Sequence, residues 1–279
     1  MDRKNVAHGK TSFRWCDGCG TLVLGTGCGC GSPVRSFEVN SPGDVRPCMG
    51  DGVDVVLSLF EREFGSSAPL KGKAIFLNKV PGEDRTDEII AHGAVLALMR
   101  FNLSTKRFEL DVRQAGAEIF ADSAIKNVVA FSGMSGHLKG KSVPGANIGE
   151  VAGEFRAGAP IILKKGSKIG AGVALASSED IRVSEKAVKI RSIDSPSVMP
   201  LSPDSDRKRF VEANRQHLFD LESVAINEIR SYLKKRNFPV TVSFSGGKDS
   251  LAAYGVASRA VRGLELIFVD TGIEFPETV

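Results

Sequence analysis

The 279-residue chain is 42% hydrophobic and 25% charged, which leaves room for two or more domains with cores of their own. A net charge of +4 is too mild to establish nucleic-acid binding. No run approaches the roughly 18 apolar residues of a membrane helix, and Met1-Asp2-Arg3-Lys4-Asn5 leads into no signal-like segment, so a cytoplasmic protein with no membrane partner is expected.

Four of the five cysteines crowd into the N-terminal region. Cys16-Asp17-Gly18-Cys19 and Cys28-Gly29-Cys30 read as C-x-x-C, a short hairpin, then C-x-C. In a reducing compartment this argues for metal rather than disulfides, and four thiolates from Cys16, Cys19, Cys28 and Cys30 suit tetrahedral zinc. An iron–sulfur cluster or redox thiols are the alternatives. The C-x-C pair is tighter than usual zinc spacing and makes the ribbon, expected over 1–36, compact. A site this small depends on its metal to fold.

Residues 37–107 read as a small α+β module, with an amphipathic helix over 54–64, a strand over 74–77, a second helix over about 87–98 and a run at 94–101 heading towards a strand. Cys48, His92, Asp51 and Asp54 could be cast as a site, but a lone cysteine is more often a buried small hydrophobe.

Over 108–184, short apolar runs are separated by glycine at fairly regular spacing, as in a small β-barrel. Gly116-Ala117-Glu118-Ile119-Phe120, Gly158-Ala159-Pro160-Ile161-Ile162-Leu163 and Gly170-Ala171-Gly172-Val173-Ala174-Leu175, followed by Ser177-Ser178-Glu179-Asp180-Ile181, resemble a PUA domain. That resemblance implies an RNA-binding barrel, with tRNA as the expected partner. Between 139 and 168 six basic side chains face two acidic ones, and Lys139, Lys141, Lys164, Lys165 and Lys168 are the candidate phosphate contacts, solvated surface charge being the plain alternative. Ser135 to Ser142 is a near miss to the Walker loop, but Ser135 replaces the first glycine and Pro144 opposes the helix that would receive the phosphate.

Ser195-Pro196, Pro200 and Ser202-Pro203 give 185–205 a linker composition. Helical periodicity follows over 209–235, ending in the cationic Lys234-Lys235-Arg236 that suits a helix C-terminus.

Val240-Thr241-Val242-Ser243-Phe244 is a strand pattern that runs into Ser245-Gly246-Gly247-Lys248-Asp249-Ser250 and then a helix over 251–261. Two glycines let the backbone approach an anion, and the helix N-terminus offers free N–H groups. The spacing is not that of the Walker loop and instead resembles the SGGxDS signature of the PP-loop (adenine nucleotide α-hydrolase-like) superfamily. A second strand, Leu264 to Asp270, leads to Thr271-Gly272-Ile273-Glu274-Phe275-Pro276-Glu277-Thr278, similar to the D-T-G-x-x-F-P-E-T run of the phosphoadenosine phosphosulfate (PAPS) reductase family and of the small subunit of ATP sulfurylase.

The resemblance implies a Rossmann-like parallel α/β domain over 206–279 with an adenine nucleotide, ATP or PAPS, beyond the strand ends. Its phosphate or sulfate would lie on the amides of Gly246 to Ser250, with Ser245, Lys248 and Ser250 as donors and Asp270 and Thr271 on the nucleoside. Asp249 would hold magnesium or orient the loop, or would simply cap the helix.

The combination of zinc ribbon, α+β module, PUA barrel and PP-loop resembles archaeal PAPS reductase-like proteins. PAPS reductases attack with a cysteine near their C-terminus, and here none follows Cys48. With two strands where such sheets need about five, the chain is expected to be C-terminally truncated and, as it stands, catalytically inactive. Three readings stay open: a PAPS reductase-like enzyme of sulfur metabolism, a tRNA-thiolating or adenylating enzyme, and an RNA-binding protein without catalysis.

Overall fold

The computed structural model describes residues 9–197, 200–234, 239–270 and 272. They form two compact units, one ending at Ala213 and the other beginning at Asn214.

The first unit holds three sheets. Strands β1 (Lys10–Cys16), β2 (Thr21–Val23) and β3 (Val34–Asn40) make an antiparallel ribbon with β1 in the middle. Strands β4 (Asp44–Pro47), β5 (Phe76–Lys79), β6 (Thr86–Ala91), β7 (Ala94–Asn102) and β8 (Arg107–Val112) follow as a five-stranded antiparallel meander. Successive strand residues point to opposite faces, so Leu77 and Ile89 join Val56, Leu59, Phe60 and Phe64 of helix α1 (Asp51–Phe64) and Phe120 of helix α2 (Gln114–Phe120) on one side. Their neighbours Phe76 and Ile90 meet Trp15, Leu22, Phe37 and Val39 of the ribbon on the other. Phe60 stacks on Phe120 at 4.5 Å, and Trp15 meets Phe76 edge to face at 5.9 Å.

The third sheet has the order β10-β14-β13-β12-β9-β11, built from β9 (Val128–Phe131), β10 (Ser142–Val143), β11 (Ile148–Ala152), β12 (Pro160–Lys165), β13 (Lys168–Ala174) and β14 (Val188–Asp194). Strands β9 and β12 run parallel and the other pairs antiparallel. Its core gathers Val129, Ile161, Leu163, Ile181, Val188 and Ile190.

Several expected elements are corrected. The helix expected over 87–98 is the β6–β7 hairpin, turning at His92 (φ 53°) and Gly93 (φ 68°) between the paired Ala91 and Ala94. Two consecutive left-handed residues make the tight turn favoured by antiparallel strands. The sequence misleads because β6 is buried on both faces, so its apolar residues run on without the alternation of a half-exposed strand. Residues 185–205, read as linker, contain β14, which lies between β10 and β13. The boundary drawn after Arg107 falls inside β8, where Arg107 pairs with Asn102 of β7. The helix expected over 209–235 is two, α3 (Arg207–Ala213) in the first unit and α4 (Arg215–Lys234) in the second, and Lys235 lies outside the described residues. The Walker-like stretch at 135–142 opens no helix and runs into β10.

In the second unit, β15 (Thr241–Ser243) and β16 (Glu265–Ile267) pair in parallel, as expected, around helix α5 (Lys248–Ala260). All three residues of β16 are exposed, and α4 has no buried residue.

His92 is fully buried. Its Nδ1 accepts the Ser202 amide at 2.9 Å, which leaves Nε2 to donate to the Pro69 carbonyl at 2.9 Å, the neutral tautomer. Burial lowers its pKa, with Lys73 and Arg35 adding to the effect. The unfolded chain therefore takes up a proton that the folded chain refuses, and stability is lost as pH falls below about 6.5, the ordinary value of a free imidazole. Urea midpoints should decline from pH 7 to pH 5, and His92→Asn, which tolerates left-handed backbone, should remove this component. Gly93→Ala should destabilise more, by roughly 2–4 kcal/mol, because the added Cβ would lie 2.6 Å from Trp15; equilibrium denaturation at pH 7 measures it.

Candidate functional site

The four N-terminal cysteines converge. Cys16 closes β1, Cys19 sits in the turn before β2, and Cys28 and Cys30 come from the loop before β3. All four sulfur atoms lie within 4.8 Å of one another, with Cys16–Cys30, Cys19–Cys28 and Cys28–Cys30 at 3.5, 3.6 and 3.4 Å. Thiolates 2.3 Å from a tetrahedral zinc stand about 3.8 Å apart, so the donor set fits such an ion. Backbone amides already point at sulfur: Cys19 N donates to Cys16 Sγ at 3.3 Å and Ser32 N to Cys30 Sγ at 3.4 Å. Donors of this kind orient and stabilise metal-bound thiolate.

The thiols differ in environment. Burial pushes the Cys16 thiol up to about 11 and raises that of Cys19 further, whereas the Ser32 hydroxyl and amide bring Cys30 down to about 6. A cation bound among them would have to displace protons from the two buried thiols. Cys48 stands apart, its thiol raised to about 11 by burial, which fits an unreactive side chain. His92, Asp51 and Asp54 join it in no metal-ligating group among the described residues.

Sequence reading missed the support of this cluster. Asp17, between two of the cysteines, accepts Arg35 Nε on both oxygens at 2.9 Å, and the same guanidinium donates to the carbonyls of His92 and Gly93. Trp15 Nε1 donates to Ser202 Oγ at 3.1 Å. An acidic residue inside the C-x-x-C was the available signal; its partner 18 positions away was not legible.

The glycine loop in the second unit is a local construction. Phe244 N donates to Ile267 O at 2.8 Å, extending the β15–β16 ladder to the brink of the loop. Gly246 turns with φ 71°, and Gly247 caps α5 with φ −78° and ψ 164°. Ser250 Oγ donates to the Gly247 carbonyl at 2.9 Å, accepts from Ser245 N at 3.2 Å and lies 3.3 Å from Ser245 Oγ, so the two serines close the neck of the loop. Lys248 Nζ lies 2.9 Å from Asp249 Oδ1 with both side chains largely exposed, an ion pair that water screens to little net energy. Asp270, beyond the end of β16, accepts the Gly272 amide at 2.8 Å; Thr271 lies outside the described residues. Residues 245–250 thus share one strand-to-helix turn, with Asp270 past the carboxyl end of the neighbouring parallel strand, the edge at which such sheets bind ligands.

The five candidate lysines fall into two groups. Lys164, Lys165 and Lys168 surround the β12–β13 turn, while Lys139 and Lys141 approach β14, where Gly140 N donates to Ile190 O and Ile190 N to Lys141 O. Lys168 lies beyond the level of Asp194, since Ile169 pairs with it. Four residue steps separate Ile190 from Asp194, about 13 Å at strand rise. Lys189 and Arg191 of β14 are exposed beside Lys139 and Lys141 and were not singled out in the sequence.

The metal content makes a direct check. The purified chain should carry one divalent ion per molecule by elemental mass spectrometry, and Cys19→Ser, which removes a buried ligand, should abolish retention and lower the melting temperature, whereas Cys48→Ser should leave retention unchanged.

Residues 239–279 match the phosphoadenosine phosphosulfate reductase domain. Two uncharacterized proteins of Methanocaldococcus jannaschii are similar to the chain: one is 32% identical, over 97% of this chain and 60% of its own length, and the other 25% identical, over 81% and 51%. The chain thus spans between half and three-fifths of the curated relatives it matches. Among solved structures, a hypothetical protein of Pyrococcus horikoshii aligns at 14% identity with a TM-score of 0.41 over 57% of this chain and 99% of its own, and a PUA domain of Aeropyrum pernix at 15% with a TM-score of 0.36 over 53% and 84%. Among the described residues no helix is long and apolar enough to cross a membrane. The one family-level assignment these comparisons carry is for residues 239–279, which match the phosphoadenosine phosphosulfate reductase domain along the stretch that holds the Ser245–Ser250 loop.

Proposed function

We propose that the chain binds an adenine nucleotide at Ser245–Ser250 in the service of PAPS reductase-type sulfur chemistry, and binds RNA through the six-stranded sheet acting as a PUA domain. The observation that carries the nucleotide reading is the coincidence of the reductase-domain match with a strand, glycine loop and helix beside a parallel strand. An anion at this turn would meet amides at the start of α5 and the favourable end of its dipole. Lys248, whose ammonium is mostly in solvent, would turn from Asp249 to the phosphate or sulfate, leaving that carboxylate for a magnesium ion. Asp270 and Thr271 would contact the nucleoside. Zinc in the four-cysteine cluster would be structural.

A second reading is favoured by the pairing of a PUA-like sequence pattern with the nucleotide loop: a tRNA-modifying enzyme that adenylates or thiolates a base. Lys139, Lys141, Lys164, Lys165 and Lys168 would hold the phosphate backbone. An RNA-binding role without catalysis is the simplest version of that reading.

Calorimetric titration with ATP and with PAPS tests the nucleotide site, and Lys248→Ala should weaken whichever binds by about tenfold or more, the scale of a charge-assisted contact, with RNA affinity unchanged. Loss of RNA affinity in the same variant would refute the separation of the two sites. Binding of tRNA should weaken with salt along a log–log slope set by the phosphates contacted, and Lys139→Ala with Lys141→Ala should shallow that slope by about 1–2. ATP–pyrophosphate exchange in the presence of tRNA would select the modifying enzyme over sulfonucleotide reduction.

A further inference from the structure

The segment 200–213 is a strap held by both the ribbon and the β5–β7 part of the neighbouring sheet, and its contacts are spread over its whole length. Ser202 is buried, its amide on His92 Nδ1 and its hydroxyl receiving Trp15 Nε1. Gly20, in the turn after Cys19, packs so closely on Pro203 that a Cβ there would sit 2.7 Å from the Pro203 carbonyl oxygen. Asp204 pairs with Lys73 at 2.7 Å, and Ser205 N donates to Gly72 O at 2.9 Å. Phe210 of α3 meets Phe76 edge to face at 5.2 Å.

The last attachment falls on the cysteine cluster itself. Gly29, between Cys28 and Cys30, donates its amide to the Ala213 carbonyl at 2.9 Å, and Ala213 is buried with Cys16, Cys19 and Val23. The loop that presents this amide, residues 24–33, holds no strand and contains Gly25, Gly27, Gly29 and Gly31. Four glycines carry a large conformational entropy, so the position of Gly29 depends on whatever fixes the sulfurs on either side of it.

We propose that the four-cysteine cluster is a metal-dependent clamp on this strap: with the ion bound, the Cys28–Cys30 knuckle fixes the end of α3, and without it that end leaves the ribbon. The consequence is mechanical. The end of α3 that carries Ala213 is freed, while Ser202, Asp204, Ser205 and Phe210 stay held by His92, Lys73, Gly72 and Phe76 outside the ribbon. Binding is reciprocal, so a strap that is loosened by other means should in turn weaken the hold on the ion. The inference rests on the reading that the cluster holds a metal.

The test uses the whole chain reconstituted with zinc alone. Arg207, Lys208 and Arg209 are exposed on the strap and give trypsin a site, while Lys139 before β10 and Lys168 at the start of β13 are exposed and serve as internal references. Stoichiometric removal of zinc by a chelator should speed cleavage at 207–209 tenfold or more with the reference sites unchanged. Unchanged cleavage at 207–209, or an equal rise at all sites, would overturn the clamp. Because the metal-free ribbon could itself unfold, two variants keep the ion and loosen the strap: Gly29→Ala, whose Cβ would meet the Glu212 carbonyl at 2.9 Å, and Phe210→Ala. Both should retain one zinc, be cut faster at 207–209 and surrender zinc to a competing chelator at least threefold more readily; zinc affinity equal to that of the parent chain counts against the clamp. A chain that takes up no zinc refutes the metal reading instead, and the two failures are separate.

Discussion

The first unit turns on a two-residue corner, His92 and Gly93, held in the left-handed region at the tip of the β6–β7 hairpin. Both residues lie at the point where three parts of the chain meet. Arg35 of the ribbon donates to their carbonyls, Ser202 of the strap donates to the imidazole, and Trp15 packs where a side chain on Gly93 would have to go. Polar groups buried at such a junction must find partners or cost stability, and here the neutral imidazole satisfies one donor and one acceptor at once. Asp17 carries the same network into the cysteine cluster through Arg35.

The two candidate sites are built on opposite principles. The glycine loop is local: a short strand, two glycines, a helix start and two serines that tie Ser245 to Ser250 account for its shape without help from elsewhere. Its charges are exposed, so they would attract an anion only weakly, and the backbone amides would define the geometry. The cysteine cluster is assembled from a hairpin and a glycine-rich loop, closed over by the end of α3, and its two buried thiols resist ionisation while Cys30 ionises readily. Four sulfur atoms this close together are a donor set that fits a tetrahedral cation.

Legibility in the sequence follows the range of the interactions. The glycine loop, α5 and the parallel strand pair were readable because glycine, hydroxyl and helix-start signals lie within a few residues of one another. The cysteine set was readable because thiolates have few other uses at that spacing. Helix α1 was found, begun three residues late, from its apolar face. The β6–β7 hairpin was read as helix because its strands are covered on both faces, so burial erased the alternation that would have marked them.

The sequence alone was enough to pick out the candidate groups: the four cysteines, the Ser245–Ser250 loop, and a basic bias between 139 and 168. Each is a property of residue type at short spacing. Tertiary structure alone decided that Ser202, in a stretch with every mark of a linker, is buried against residues 187 and 110 positions away, and that Lys139 and Lys141 stand apart from Lys164, Lys165 and Lys168. Those outcomes depend on sheet order and on hydrogen bonds between distant segments, and a pattern read over a window of neighbours contains neither.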